Sequence, residues 1–116
     1  MVRVAVERAS DGRITAFSVQ GHAGAGRRGQ DIVCAAVSVL SQTAILGLEQ
    51  RLGLEVGVRS AAGQLACRLP AGLEPALLGR AQDILETMWL GLTEIAAQYP
   101  ARIVLVPAAA VGRGTL

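Results

Sequence analysis

Lysine is absent from this 116-residue chain, and all eleven basic residues are arginine. No P-loop pattern is present, and that loop needs a lysine to reach the β- and γ-phosphates. Aromatics are almost as scarce: Phe17, Trp89 and Tyr99 stand alone and far apart. Proteins that read single-stranded RNA or DNA stack the bases on clustered aromatics. A net charge of +2 is too small for an electrostatic footprint on a nucleic acid, so no direct nucleic-acid binding is expected. Two cysteines and one histidine give neither zinc-ligand spacing nor a disulfide framework. Without a CxxC pair, thiol-redox chemistry ranks last among the options, and no metal or organic cofactor is expected. The opening segment MVRVAVER carries Arg3 and Glu7 and lacks the apolar core of a signal peptide. No stretch reaches about eighteen uninterrupted apolar residues, the length of a membrane span. A cytoplasmic location with no membrane partner is the expectation.

What the chain does have is aliphatic: 52% hydrophobic residues against 17% charged, enough for a compact core in one domain. Val2, Val4 and Val6 alternate with Arg3, Ala5 and Glu7, which predicts a half-buried strand over Val2–Arg8. The turn Ser10-Asp11-Gly12-Arg13 leads to a second strand, Ile14–Gln20, with Thr15, Phe17 and Val19 on one side. A helix over Ile32–Arg51 carries two apolar stripes that cover most of its surface. Two further strands, Leu54–Arg59 and Gln64–Leu69, flank the turn Ser60-Ala61-Ala62-Gly63. A clean helical period then spans Glu74–Gln98 until Pro100 stops it, and Ala101–Val106 forms a last strand. The predicted class is α+β, with five strands and two helices in the order strand, strand, helix, strand, strand, helix, strand. Both helices pack on one face of a mostly antiparallel sheet. Residues 1–106 read as a single domain and 107–116 as a flexible tail.

Reactive groups concentrate in Gly21–Leu40, GHAGAGRRGQDIVCAAVSVL, which holds the single histidine (His22), Cys34 and four glycines. The reading is a strand end bearing His22, a glycine-rich lip over residues 23–29, and a helix capped by Asp31. Lips of this kind close over substrates. Gly24, Gly26 and Gly29 make it mobile, and Arg27 and Arg28 stand at its tip, either solvated or meeting an acidic or carbonyl-rich partner. Cys34 then falls in the first helical turn, where free amides and the helix dipole favour a thiolate. A helix end contributes only about 0.3–1 kcal/mol, whereas each unit of thiol pKa requires about 1.4 kcal/mol. An imidazolium from His22 must supply the rest, completing a nucleophile and base pair. The Asp31 carboxylate opposes a thiolate and favours an imidazolium, so it serves as helix cap or as orienter of His22. Ser38 lies one turn after Cys34 on the same face, in a polar seam with Ser41 or Gln42. It either bonds back to a carbonyl of its own helix or faces the chemistry. Cys67 alternates with Leu65 and Leu69 and reads as a core residue.

The run GHAG, the glycine-bearing spacer and DIVCAAVS, with twelve residues from His22 to Cys34, resembles the signature of the ribosomal-processing cysteine protease (Prp) family. The order of strands and helices is similar over most of the chain. The resemblance implies a homodimer, a nucleophile at Cys34 and a general base at His22, with Gly21, Asp31 and Ser38 matching further motif positions. It also implies the activity, a cysteine endopeptidase that removes an N-terminal extension from a precursor of large-subunit ribosomal protein twenty-seven. Ala25, Arg27 and Arg28 stand where the family tends to carry aromatic and acidic residues, which bears on the preferred peptide and not on the reaction class. The alternative reading is a non-catalytic binding module of ribosome assembly with an unreactive Cys34.

Overall fold

The structure, a computed structural model, describes residues 1–21 and 28–108, and for residues 28–31 the backbone alone. Its strands are β1 (Val2–Arg8), β2 (Ile14–Gly21), β3 (Gly57–Ala61), β4 (Gln64–Arg68) and β5 (Ile103–Val106), and its helices are α1 (Arg28–Leu46) and α2 (Pro75–Gln98). The α+β class and the expected element order hold. The described strands form one sheet in the order β3-β4-β2-β1-β5. All pairings are antiparallel except that of β1 with β5, which needs a crossover, and α2 supplies it.

The valine alternation works as expected: Val2, Val4 and Val6 are buried on one face. Their partners on β2 are Gly21, Val19 and Phe17. The pairing then slips, with Glu7 opposite Ala16 and Arg8 opposite Ile14. Thr15 is the extra residue of this bulge, and a one-residue shift turns the next side chain to the other face. Ile14 therefore joins Phe17 in the core and Thr15 does not, contrary to the simple alternation. The Thr15 hydroxyl instead donates to the Glu7 carbonyl at 3.2 Å. From α2, Gln82 accepts from the Ile14 N–H at 2.7 Å and donates to its carbonyl at 2.8 Å. One side-chain amide thus does for Ile14 what a neighbouring strand would do, satisfying both backbone groups at the bulge.

Two other strands are shorter than alternation suggested. Leu54 is buried, but its N–H bonds to the Leu48 carbonyl at 3.0 Å. Residues 54–56 therefore close the helix before β3 begins at Gly57. Similarly, the Arg102 N–H turns back to the Tyr99 carbonyl at 2.9 Å, which delays β5 to Ile103. Pro107 and Ala108 form a turn, and the rest of the expected tail lies outside the described residues.

Both helices cover the same sheet face. Val33, Val37, Ala44 and Ile45 of α1 form one cluster with Ala81, Leu85, Met88 and Leu92 of α2 and with the β1 valines and Phe17. A π-wound turn, Gly47–Arg51, continues α1 and buries Leu48. By length and mean hydropathy (1.7 over Ile32–Arg51) this helix also passes for a membrane span. Packing on the sheet accounts for one of its two apolar stripes, while Ile32, Val39 and Leu46 of the other are exposed, contrary to the expectation that most of its surface is covered. The helices approach closely where a Cβ on Gly91 would lie 2.9 Å from Leu40 Cδ1. On the opposite face Glu7, Ala16 and Arg68 share one row across three strands. Arg68 and Glu7 pair at 2.9 Å above Ala16, which is buried. At the far end of β1, Arg8 forks onto the Glu86 carboxylate of α2 at 2.6 and 3.1 Å and holds that carboxyl below its ordinary range.

Phe17 sits at the centre of the covered face and has no exposed surface. Phe17→Ala is expected to cost about 3–5 kcal/mol of unfolding free energy, measured as a lowered urea midpoint. A loss below about 1 kcal/mol would contradict a well-packed core at that position.

Candidate active site

One end of this sheet opens into a cleft of about 220 Å³ lined by Val2, the end of β2, one wall of α1 and the β3–β4 hairpin. Val2, Val19, Val37 and Leu65 make its apolar part, and Cys34, Ser38, Gln42, Ser60 and Gln64 line it with neutral polar groups. No charged side chain is among the described lining residues. An uncharged side chain or a stretch of peptide backbone fits this chemistry.

Gly21 ends β2 at the edge of the cleft. Its φ of +86° is in the left-handed region, and a Cβ there would lie 2.5 Å from the Met1 carbonyl oxygen. Its N–H donates to the Gly63 carbonyl at 2.9 Å. Only glycine lets the first strand and the hairpin turn both close on this point.

Cys34 is half-buried on the α1 wall, but its place in the helix differs from the sequence expectation. The helix begins at Arg28, so Asp31 is its fourth residue and not its cap, and Cys34 is its seventh. An acidic residue is as favourable inside the first turn as at the cap, which is why Asp31 marked the region without marking the boundary. The free amides of the first turn end at residue 30, so the Cys34 amide is not among them. Arg28 and Gly29, assigned to the lip, belong to the helix. His22, Gly24, Gly26 and Arg27 lie outside the described residues, as do the side chains of Arg28 and Asp31.

Gly21, Cys34 and Ser38 are brought together around one cleft. Ser38 does not bond back to its own helix. Its oxygen accepts from Gln42 Nε2 at 2.9 Å, while the buried Ser41 hydroxyl does the back-bonding, to the carbonyls of Val37 at 2.7 Å and Ser38 at 3.2 Å. Ser60, Gln64 and Leu65 enter the cleft because β4 pairs with β2, and no local pattern in the sequence announces that pairing. Cys67 lies opposite Phe17. Burial, with a smaller push from Glu49, raises its thiol from 9.0 to about 12, leaving it an inert core group.

A half-buried thiol on a helix, in a cleft at the end of a mostly antiparallel sheet, defines a candidate thiol enzyme of the α+β class. The sequence matches the model of the family described as Cysteine protease Prp over residues 1–104. The chain belongs to that family. It is similar to the ribosomal processing cysteine protease Prp of Bacillus subtilis (strain 168), at 29% identity over 101 residues that cover 85% of this chain and 90% of that one. Its fold is similar to that of the ribosomal processing protease Prp from S. aureus in complex with a substrate peptide, with TM-score 0.78, 25% identity and coverage of 90% of this chain and 97% of that one. The same S. aureus protease with a covalently linked product peptide gives TM-score 0.80 and 26% identity, covering 91% and 98%.

The folded Cys67 pKa of about 12 exceeds its ordinary 9.0, so as pH rises the unfolded chain releases this proton first. The contribution is intact below the ordinary value and is lost as pH climbs toward the folded one. Urea midpoints followed from about pH 8 to about pH 11 are expected to fall more steeply for wild type than for Cys67→Val. Equal slopes would contradict a buried neutral thiol.

Proposed function

We propose that this chain is a cysteine endopeptidase that removes an N-terminal extension from the precursor of large-subunit ribosomal protein twenty-seven. The observation that carries this reading is the half-buried Cys34 on the wall of a cleft whose described lining is uncharged, at the strand end whose next residue in the chain is His22. Family membership supports it, as do the names of the B. subtilis and S. aureus proteins and the peptides bound in the latter.

In this reaction His22 takes the Cys34 proton and the sulfur attacks the scissile carbonyl carbon, whose π pair moves to oxygen. Collapse of that oxyanion breaks the C–N bond, and the leaving amine takes its proton from the imidazolium. Water, activated by the neutral imidazole, then hydrolyses the thioester and frees the sulfur. The apolar part of the cleft holds the peptide while its polar lining meets backbone amides and carbonyls. Gly24, Gly26 and Arg27 contribute to covering the peptide, and Asp31 orients His22. The catalytic unit is residues 1–106, acting in the cytoplasm as a homodimer. The dimer draws support from α1, which leaves Ile32, Val39 and Leu46 at 58%, 63% and 50% exposure with no charged residue between Asp31 and Glu49.

Incubating wild type and Cys34→Ala with the ribosomal protein precursor, then reading intact masses, tests the activity. One discrete N-terminal loss is expected with wild type and none with the variant, and the enzyme should run on a sizing column at the mass of two chains. An unchanged precursor in both, when it carries an extension, would instead favour a binding module of ribosome assembly.

A further inference from the structure

An oxyanion forming beside Cys34 needs a donor, and the helix cannot supply one from its end. With α1 starting at Arg28, the free amides end at residue 30 and the Cys34 N–H is inside the helical ladder. Among the described residues, Ser38 offers a side-chain hydroxyl on the same wall, one turn on. Residues four apart on a helix hold their Cβ atoms about 5–6 Å apart, which leaves room for a carbonyl oxygen between thiol and hydroxyl. A serine hydroxyl has one proton, and its direction decides whether it helps. Ser41 spends its proton on its own helix. Ser38 accepts from Gln42 Nε2 at 2.9 Å, and that accepted bond occupies one lone pair and keeps the hydroxyl proton for another partner. Cys34, Ser38 and Gln42 all line the cleft, spaced at i, i+4 and i+8.

We propose that Gln42 is a positioning residue for the peptidase reaction: its amide N–H, donated to Ser38 Oγ, turns the Ser38 proton toward the oxyanion that forms when Cys34 attacks. This rests on the protease reading. The hydroxyl transfers no proton. It hydrogen-bonds the oxygen while the carbon–sulfur bond forms and releases it when the C–N bond breaks. Gln42 acts on the reaction through Ser38. Its contribution appears in kcat, because the bond it prepares is completed only in the transition state.

The test is steady-state cleavage of the ribosomal protein precursor by four proteins: wild type, Ser38→Ala, Gln42→Glu and the double variant. A glutamate at 42 has nearly the same shape but only accepts, so it claims the Ser38 proton and withholds it from the oxyanion. Removal of one oxyanion donor lowers kcat by about 100-fold or more. Both single variants are expected to show about that loss with KM little changed, and Gln42→Glu should add nothing in the Ser38→Ala background. The rate of Cys34 alkylation by iodoacetamide, which forms no oxyanion, should be the same in all four. An additional loss in the Ser38→Ala background would assign the effect to the new charge and overturn the proposal. So would wild-type kcat in Gln42→Glu, a change confined to KM, or altered alkylation of Cys34. If wild type itself leaves an extended precursor uncut, the protease reading fails first. If wild type cuts and Gln42→Glu cuts equally well, only the positioning role fails.

Discussion

A side chain at position 21 has no room: its Cβ would fall 2.5 Å from the Met1 carbonyl oxygen, on a backbone already at φ +86°. That close approach locks the last residue of β2 against the start of β1, opposite Val2. The N–H of Gly21 binds the Gly63 carbonyl in the β3–β4 turn. Three segments distant in sequence are thereby tied at one corner of the sheet, and the cleft is the space they leave beneath α1. A bulkier residue would push the first strand from the second just where the register of both is fixed, and the floor formed by Val2 and Val19 would move with them.

The same packing that stabilises the sheet sets the exposure of Cys34. Val33 and Val37 are buried against the strands and fix the rotation of α1. Cys34 and Ser38, each one position further round, then face the rim. They are neither in the core, where Cys67 is held neutral by burial, nor in open solvent. A thiol at such a boundary is reachable by a peptide yet partly screened from water, which strengthens polar interactions made there. Gly91 lets α2 approach Leu40 closely, and the Gln82 amide anchors β2 at its other end. Core, bulge and cleft are therefore coupled through β2, with Phe17 at its middle.

Much of this was legible from local pattern. The alternation of Val2, Val4 and Val6 identified the core face of β1, and the period from Leu77 to Tyr99 identified α2, because burial on one face imposes those repeats directly. The DIVC run pointed to the α1 wall on which Cys34 lines the cleft, while His22 lies outside the described residues. Thr15 was misplaced because a bulge changes parity without any mark in the strand itself; the side chain that satisfies its backbone, Gln82, is 68 residues from Ile14. The start of α1 was misplaced because aspartate suits the cap and the first turn alike. The hairpin side of the cleft was not legible, since Ser60, Gln64 and Leu65 reach Cys34 only through the pairing of β4 with β2. The orientation of Ser38 likewise depends on a partner, Gln42, that chemistry alone gives no reason to single out.

Acylation of Cys34 is the step on which the proposed reaction turns. It can be seen by mixing the protein with a peptide ester that ends at the cleaved bond, quenching in acid, and mapping the mass gained. The expected result is a single acyl group on the peptide segment containing Cys34, with Cys67 unmodified. Turnover of the ester with no adduct at Cys34, or with the acyl group on another residue, would contradict a Cys34 nucleophile.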